Sequence, residues 1–268
     1  MNEKNYSLRT RTITGIAIAI CYLLAYMLGS KFATIFTTII MLGILYELDR
    51  AFKNIELRTY IPILMLTVLI SSIYSFIPTG IFNLKIDINV LGLIAIFAAF
   101  IFDNSERKIY NLGASAIIYL YVIILGSIFF HYNWFNKYIY LVIIALTTGA
   151  DVGAYLIGSF FGKHKLMPNI SPKKTVEGAV AGVLGGVIMG VLALALIEFE
   201  TNFRVIMVLF IAAIFSEIGD LFASSIKRAV GIKDFSNLLP GHGGLADRFD
   251  SILFTAAVFK VFMTVFLV

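Results

Sequence analysis

The chain reads as an all-α, polytopic integral membrane protein with about nine transmembrane helices and a cytoplasmic N-terminus. Three observations predict this. Of its 268 residues, 60% are hydrophobic and the mean hydropathy is +0.93, which excludes a water-soluble globular fold. Apolar stretches recur, each near the length that a hydrocarbon core of ~30 Å requires of a helix. Lys and Arg alternate from loop to loop, as they do when cytoplasmic loops keep positive charge.

The stretches fall at 12–29, 32–46, 60–80, 88–102, 110–130, 138–160, 178–197, 203–225 and 251–268. Those at 32–46 and 88–102 are short, so they are tilted, half-buried or wrongly bounded. With the N-terminus inside, the cytoplasmic loops hold Lys4, Arg9, Arg11, Arg50, Lys53, Arg58, Arg107, Lys108, Lys163, Lys165, Lys173, Lys174, Lys227, Arg228, Lys233 and Arg248. The outer loops hold Lys31, Lys85, Lys137 and Arg204. Lys260 is left near the middle of the last span, so that either its side chain snorkels or the span is displaced. Topology thus accounts for the pI of about 9.2, and no nucleic-acid partner is expected. The single cysteine, Cys21, lies in the first span, which excludes an internal disulfide and a thiolate metal cluster. The basic start followed by an apolar run has no A-x-A-like cleavage site and reads as a retained span.

No linker or soluble domain interrupts the spans, so one continuous membrane domain is expected. Residues 1–137 form an N-terminal region of about five plain Ile/Leu/Phe/Tyr helices. Residues 138–268 form a C-terminal core with cytoplasmic loops at 161–177 and 226–250. Ala150, Ala154, Gly158 and Gly162 repeat every four residues, as do Gly178, Gly182, Gly186 and Gly190. Such rows let helix backbones approach closely in lipid.

Residues 216–250 hold ten ionisable side chains beside this oily core, and charge at a membrane span marks chemistry or transport. If 216–228 is helical, Glu217, Asp220, Ser224, Lys227 and Arg228 share one stripe at the cytoplasmic end of span eight. In Pro240-Gly241-His242-Gly243-Gly244 the glycines permit positive φ and let backbone N–H groups cradle an anion such as phosphate. Asp247 and Asp250 follow at i,i+3. Their hard oxygens suit Mg²⁺, whereas His242 lacks a second His or Cys for zinc. Capping and loop closure are the competing role for both acids. Ser171 reads as an N-cap with Pro172 at the first helical position, and the free amides there, with Lys173 and Lys174, form an anion site. Asp151, the lone acid of span six, invites a function or a partner. Glu47, Asp49 and Arg50 read as interfacial, and His131 and His164 receive no role.

These residues resemble the phosphatidate cytidylyltransferase, or CDP-diglyceride synthase, family. The family signature is matched by Ser224, Ile226, Lys227, Arg228, Lys233, Asp234, Pro240, His242, Gly243, Gly244, Leu245, Asp247, Arg248, Phe249 and Asp250, without departure. Asp151-Val-Gly-Ala-Tyr155 and Ser171-Pro-Lys-Lys-Thr175-Val-Glu-Gly178 resemble two further blocks, so the likeness is strong over about 147–252. It implies an enzyme of phospholipid biosynthesis that condenses CTP with phosphatidic acid, giving CDP-diacylglycerol and pyrophosphate at the cytoplasmic face of the membrane. A homodimer in a bacterial plasma membrane and a Mg²⁺ site, with K⁺ as a candidate second cation, are also implied. Asp220 and Asp247 would then be metal ligands, with Asp250 and Asp151 as further ones. Asp220, Asp247, Lys227, Arg228 and Arg248 would be catalytic. Ser171, Lys173, Lys174, Thr175, Ser224, Lys233, His242, Gly243 and Gly244 would bind substrate.

The CDP-alcohol phosphotransferases share this setting, but their Asp-Gly-x-x-Ala-Arg opening is absent. The same transfer to another lipid phosphate, ether or isoprenoid, stays open, because the acyl pocket would be built from featureless spans. Ion-coupled transport predicts acids spread through the bilayer depth and paired broken helices. Here the acids cluster in one half of the chain.

Overall fold

The computed structural model describes residues 28–76, 87–126 and 139–266. The span expected at 12–29 lies almost wholly outside these residues, as do Cys21 and His131. Eight α-helices account for most of what is described, and the chain divides into two compact units, Met1–Trp134 with Val230–Arg248 and Phe135–Ala229 with Phe249–Val268.

In the first unit, α1 (Ser30–Lys53), α2 (Ile61–Phe76) and α3 (Ile88–Phe102) pack in succession. Helix α4 (Lys108–Ile118) runs on as a π-helical turn through Tyr119–Ile124. Leu45, Leu48, Leu64, Ile118 and Tyr119 are fully buried and form its core. Helix α1 is longer than the apolar run at 32–46 because it does not stop at its acids. Glu47 and Asp49 are both only 3% exposed, so their interfacial reading is corrected. Asp49 accepts from the Thr59 hydroxyl and from Lys53 Nζ at 2.6 Å, which meets its charge without bulk water.

A polar knot then fixes the turn between α1 and α2. Asn111, 2% exposed, accepts from the Arg58 amide at 2.9 Å and donates to Asp103 Oδ2 and Ser105 Oγ at 3.1 and 2.9 Å. Tyr60 also donates to Asp103. Hydrogen bonds from Asn111 and Ser105 hold the Asp103 carboxyl well below the ordinary aspartate range, and burial, then Asp103, pushes the Tyr60 phenol up to about 12. Asn111→Ala strands buried partners, so it is expected to cost about 1–3 kcal/mol, seen as a lower melting temperature in detergent. A depressed carboxyl contributes stability above the ordinary aspartate pKa and loses it as pH falls through the folded value. The gap between the wild type and Asn111→Ala should therefore narrow below about pH 4.

The second unit holds α5 (Ile139–Phe161), a hairpin of β1 (Lys165–Met167) and β2 (Ser171–Thr175), α6 (Val176–Leu196) and α7 (Phe203–Ala229). Helix α8 (Ala246–Phe266) begins in the first unit and continues in the second. The two rows of small residues seat α5 on α6 in antiparallel order. A Cβ on Gly178 would lie 2.9 Å from the Ala154 carbonyl, one on Gly182 3.0 Å from Ala150 O, and one on Gly186 3.1 Å from Leu146 O. Each contact steps one turn along both helices, so packing explains both rows.

By length and composition, Lys31–Lys53, Ile139–Phe161, Val176–Leu196 and Phe203–Ala229 can cross a bilayer, and Ile61–Phe76, Ile88–Phe102 and Lys108–Ile124 are shorter apolar helices. Such a chain is a multi-pass membrane protein.

Candidate active site

Helix α7 remains helical through Ala229, which meets the condition for the predicted stripe. Glu217, Ser224 and Lys227 are buried along it, Asp220 is partly exposed and Arg228 is exposed. Lys174 reaches this stripe from β2. Its Nζ stands 2.5 Å from Glu217 Oε2 and 2.7 Å from Asp220 Oδ2. Ser224 Oγ points at Asp220 Oδ1 from 3.4 Å, and Arg228 Nε donates to the Ile170 carbonyl at 3.2 Å, tying the hairpin to α7. Burial works against the Lys174 charge, but Asp220 and Glu217 outweigh it, and its pKa rises above the ordinary lysine value. A raised lysine keeps its contribution through neutral pH and loses it only as pH passes the folded pKa.

Ser171 does not cap a helix. Residues Ser171–Thr175 are extended and pair with β1, Lys165 opposite Thr175 and Met167 opposite Ser171. The Ser-Pro pair that suits a helix start suits an edge strand equally, since Pro172 has no N–H to leave unpaired and biases Ser171 toward extended geometry. The cap is Thr175, whose Oγ1 accepts from the Gly178 amide at 3.1 Å. The anion site predicted at Ser171 is thus not a helix terminus. Lys173 stays exposed beside it. His164, which had no role on paper, lies 2.6 Å through Nδ1 from Glu177 Oε1, and Glu177 also accepts the Lys163 and His164 amides.

In the first unit, the loop ahead of α8 takes the conformation its glycines allow, with φ of 77° at Gly241 and 82° at Gly243. Several of its amides already have acceptors. His242 N donates to Leu239 O at 2.8 Å, and the Phe235 and Gly244 amides both donate to Asp247 Oδ2 at 2.9 Å. Asp247 therefore closes the loop, whatever else it does. His242 is half-buried, and Lys233 and Arg248 are exposed.

Sequence reasoning missed Glu47. Its Oε1 accepts from Ser236 Oγ at 2.5 Å and Leu245 N at 2.9 Å, and its Oε2 accepts from Ala246 N at 2.8 Å. The available signal was an acid flanked by Tyr46 and Leu48 in an apolar helix, where a charge must find partners.

Asp250 is buried in the second unit, accepts from Ser251 N at 2.7 Å, and lies within electrostatic range of Asp220, Lys227 and Asp151. Asp151 itself is exposed on α5, and Asp247 belongs to the first unit. Among the described residues no three His, Cys, Asp or Glu side chains already stand at metal-binding geometry.

Apolar helices of bilayer length define a multi-pass membrane protein, and a part-buried lysine bridging two acids and a carboxylate-pinned glycine loop are its most polar constellations. Comparison with known proteins makes the class specific. The chain belongs to the cytidylyltransferase family, whose model matches residues 9–266, and it is accordingly a nucleotidyltransferase. Among curated relatives, the phosphatidate cytidylyltransferase of Staphylococcus haemolyticus is 28% identical over 96% of this chain and 99% of its own. The protein of the same name from Staphylococcus aureus strain COL is 30% identical over 96% and 99%. That of Bacillus subtilis is 30% identical over 92% and 94%. The resemblance drawn from residues 147–252 thus extends over almost the whole chain.

Proposed function

We propose that this chain condenses CTP with phosphatidic acid, giving CDP-diacylglycerol and pyrophosphate, as a phosphatidate cytidylyltransferase like the relatives it resembles. The observation that carries the reading is the Lys174 bridge. A family chain of this class places a part-buried cation on Glu217 and Asp220 at the end of a helix long enough to span a bilayer. Lys173 and Arg228 stand exposed nearby in sequence, ready for phosphate.

In this reaction an oxygen of the lipid phosphate forms a bond to the α-phosphorus of CTP. The bond from that phosphorus to the oxygen bridging it to the β-phosphorus breaks, and pyrophosphate departs with that oxygen. A phosphate monoester has its second pKa near ~6, so the attacking oxygen is already ionised and no strong general base is required. The protein's task is to hold two polyanions together. Lys227, Arg228, Lys233 and Arg248 are assigned to triphosphate or lipid phosphate, with arginine suited to bidentate contact. Lys173 and Lys174 are assigned to the other phosphate, and His242, Gly243 and Gly244 to substrate binding.

The donor set fits Mg²⁺. Asp220 and Asp151 each lie within electrostatic range of Asp250, and all three are hard oxygen donors. Asp220 and Asp247 are assigned as metal ligands, with Asp250 and Asp151 as further ones, for Mg²⁺ or K⁺. Bound Mg²⁺ would neutralise charge gathering on the phosphates. We further assign about nine spans, a cytoplasmic N-terminus and catalytic face, a bacterial plasma membrane and a homodimer. Residues 1–137 would be the scaffold and 138–268 the catalytic core.

The test is to purify the chain in detergent and follow label from CTP into the lipid phase. Label should enter only when phosphatidic acid and Mg²⁺ are both present. Incorporation with diacylglycerol in place of phosphatidic acid would contradict the reading.

A further inference from the structure

The geometry points to Glu47 as a positioning residue that sets the catalytic geometry of the glycine loop from a distant helix. This inference rests on the proposed reaction for its kinetic part and on contacts within the first unit for its structural part. Two carboxylates interleave at the base of the loop. Asp247 Oδ2 takes the amides of Phe235 and Gly244, and Glu47 takes the Ser236 hydroxyl and the amides of Leu245 and Ala246. Each therefore ties the start of the loop to its end, and the segment 237–243 between them carries Pro240, His242 and Gly243.

Gly43 and Glu47 lie one turn apart on α1 and together make the seat. A Cβ on Gly43 would strike Leu245 Cδ1. One on Gly244 would fall 2.6 Å and 2.7 Å from the two Glu47 oxygens. The loop thus rests on α1 at van der Waals contact, and Glu47 is the α1 side chain that fixes it there. Glu47 also meets the first amides of α8, which would otherwise be orphan donors at a helix start. A loop held within a fraction of an ångström matters for reaction more than for binding, since misplacement of about 1 Å can cost ~10²-fold in rate.

Glu47→Gln keeps the shape but replaces one acceptor oxygen by an amide donor facing donors. The expected result is a fall in kcat of about 10–100-fold with KM for CTP changed less than about threefold. Backbone hydrogen exchange should rise about tenfold or more in peptides covering 236–248, with α5 and α6 peptides unchanged, and the melting temperature should fall as the stranded amide partners lose an acceptor. Ser236→Ala, which removes one donor, should move kcat and this exchange as Glu47→Gln does, by less. It also serves where Glu47→Gln does not fold. Unchanged exchange at 236–248 in both variants would overturn the clamp, as would exchange rising equally across the chain. A wild-type kcat in Glu47→Gln, or a change confined to KM, would overturn the positioning role. The exchange arm needs no substrate, so it still reads the clamp if the wild type proves inactive on phosphatidic acid, a result that would instead sink the reaction proposed above.

Discussion

Asp220→Asn is expected to lower kcat for CTP incorporation by about 10³-fold while leaving a folded protein. On the assignment proposed above, the rate loss follows from removing a metal ligand beside the reacting phosphates, since single electrostatic groups at such sites carry about 10²–10³-fold or more. The fold survives for reasons visible around the residue. Asparagine is isosteric, Lys174 keeps its 2.5 Å contact with Glu217, and Asp220 is partly exposed, so its neutral replacement finds water. Ser224 keeps an oxygen partner at the same place. Purified Asp220→Asn should therefore elute and unfold like the wild type. More than about one tenth of wild-type turnover would remove Asp220 from the catalytic set.

Gly182→Val should damage the α5–α6 packing and the Lys174 site together. A Cβ alone at Gly182 would lie 2.5 Å from Glu217 Oε1, 3.0 Å from Ala150 O and 3.1 Å from the Ala154 Cβ. Two of these neighbours belong to the α5 backbone or its root, and only Glu217 can yield. Valine adds two methyl groups to that space, so a cost at the top of the about 1–3 kcal/mol overpacking range is expected. At about 2–4 °C per kcal/mol for a chain of this size, the melting temperature should drop by roughly 6–12 °C. Activity should fall as well, because a displaced Glu217 no longer shares Lys174. Val180→Leu, on the same helix but 58% exposed, is the control and should change neither. Equal effects of the two substitutions would mean that close approach of α5 and α6 is not what the glycine rows provide.

How much of this was legible in the sequence depended on whether the signal was local. Span positions came from hydropathy, and the small-residue rows came from a period of four, so the spans within the described residues survive as helices, four of them long enough to cross a bilayer, and the rows survive as the α5–α6 contact. The α7 stripe was legible for the same reason, because a helical repeat places Glu217, Asp220, Ser224 and Lys227 without knowledge of the rest of the fold. Positive φ at Gly241 and Gly243 also follows from composition alone. What failed was choice between local alternatives and anything reaching across the chain. Ser171-Pro172 fits both a helix start and an edge strand, and only pairing with Lys165–Met167 decides. Lys174 was readable as a phosphate ligand, yet nothing in its own segment announces Glu217 and Asp220, 43 and 46 residues away. Glu47 was misjudged because its partners lie about 190 to 200 positions downstream, as at Ser236 and Ala246. The acid inside an apolar run was visible, but its purpose was not.

The central claim is cytidylyl transfer to a lipid phosphate, and position-specific labelling of CTP tests it most directly. Purified protein would be given phosphatidic acid, Mg²⁺ and CTP labelled either at the α- or at the γ-phosphorus, with lipid and aqueous phases counted separately. The account predicts that α-label enters the lipid while γ-label appears only in pyrophosphate, released one for one with the lipid product. Transfer of γ-label to lipid, or a folded protein that binds CTP and leaves phosphatidic acid untouched, would contradict it.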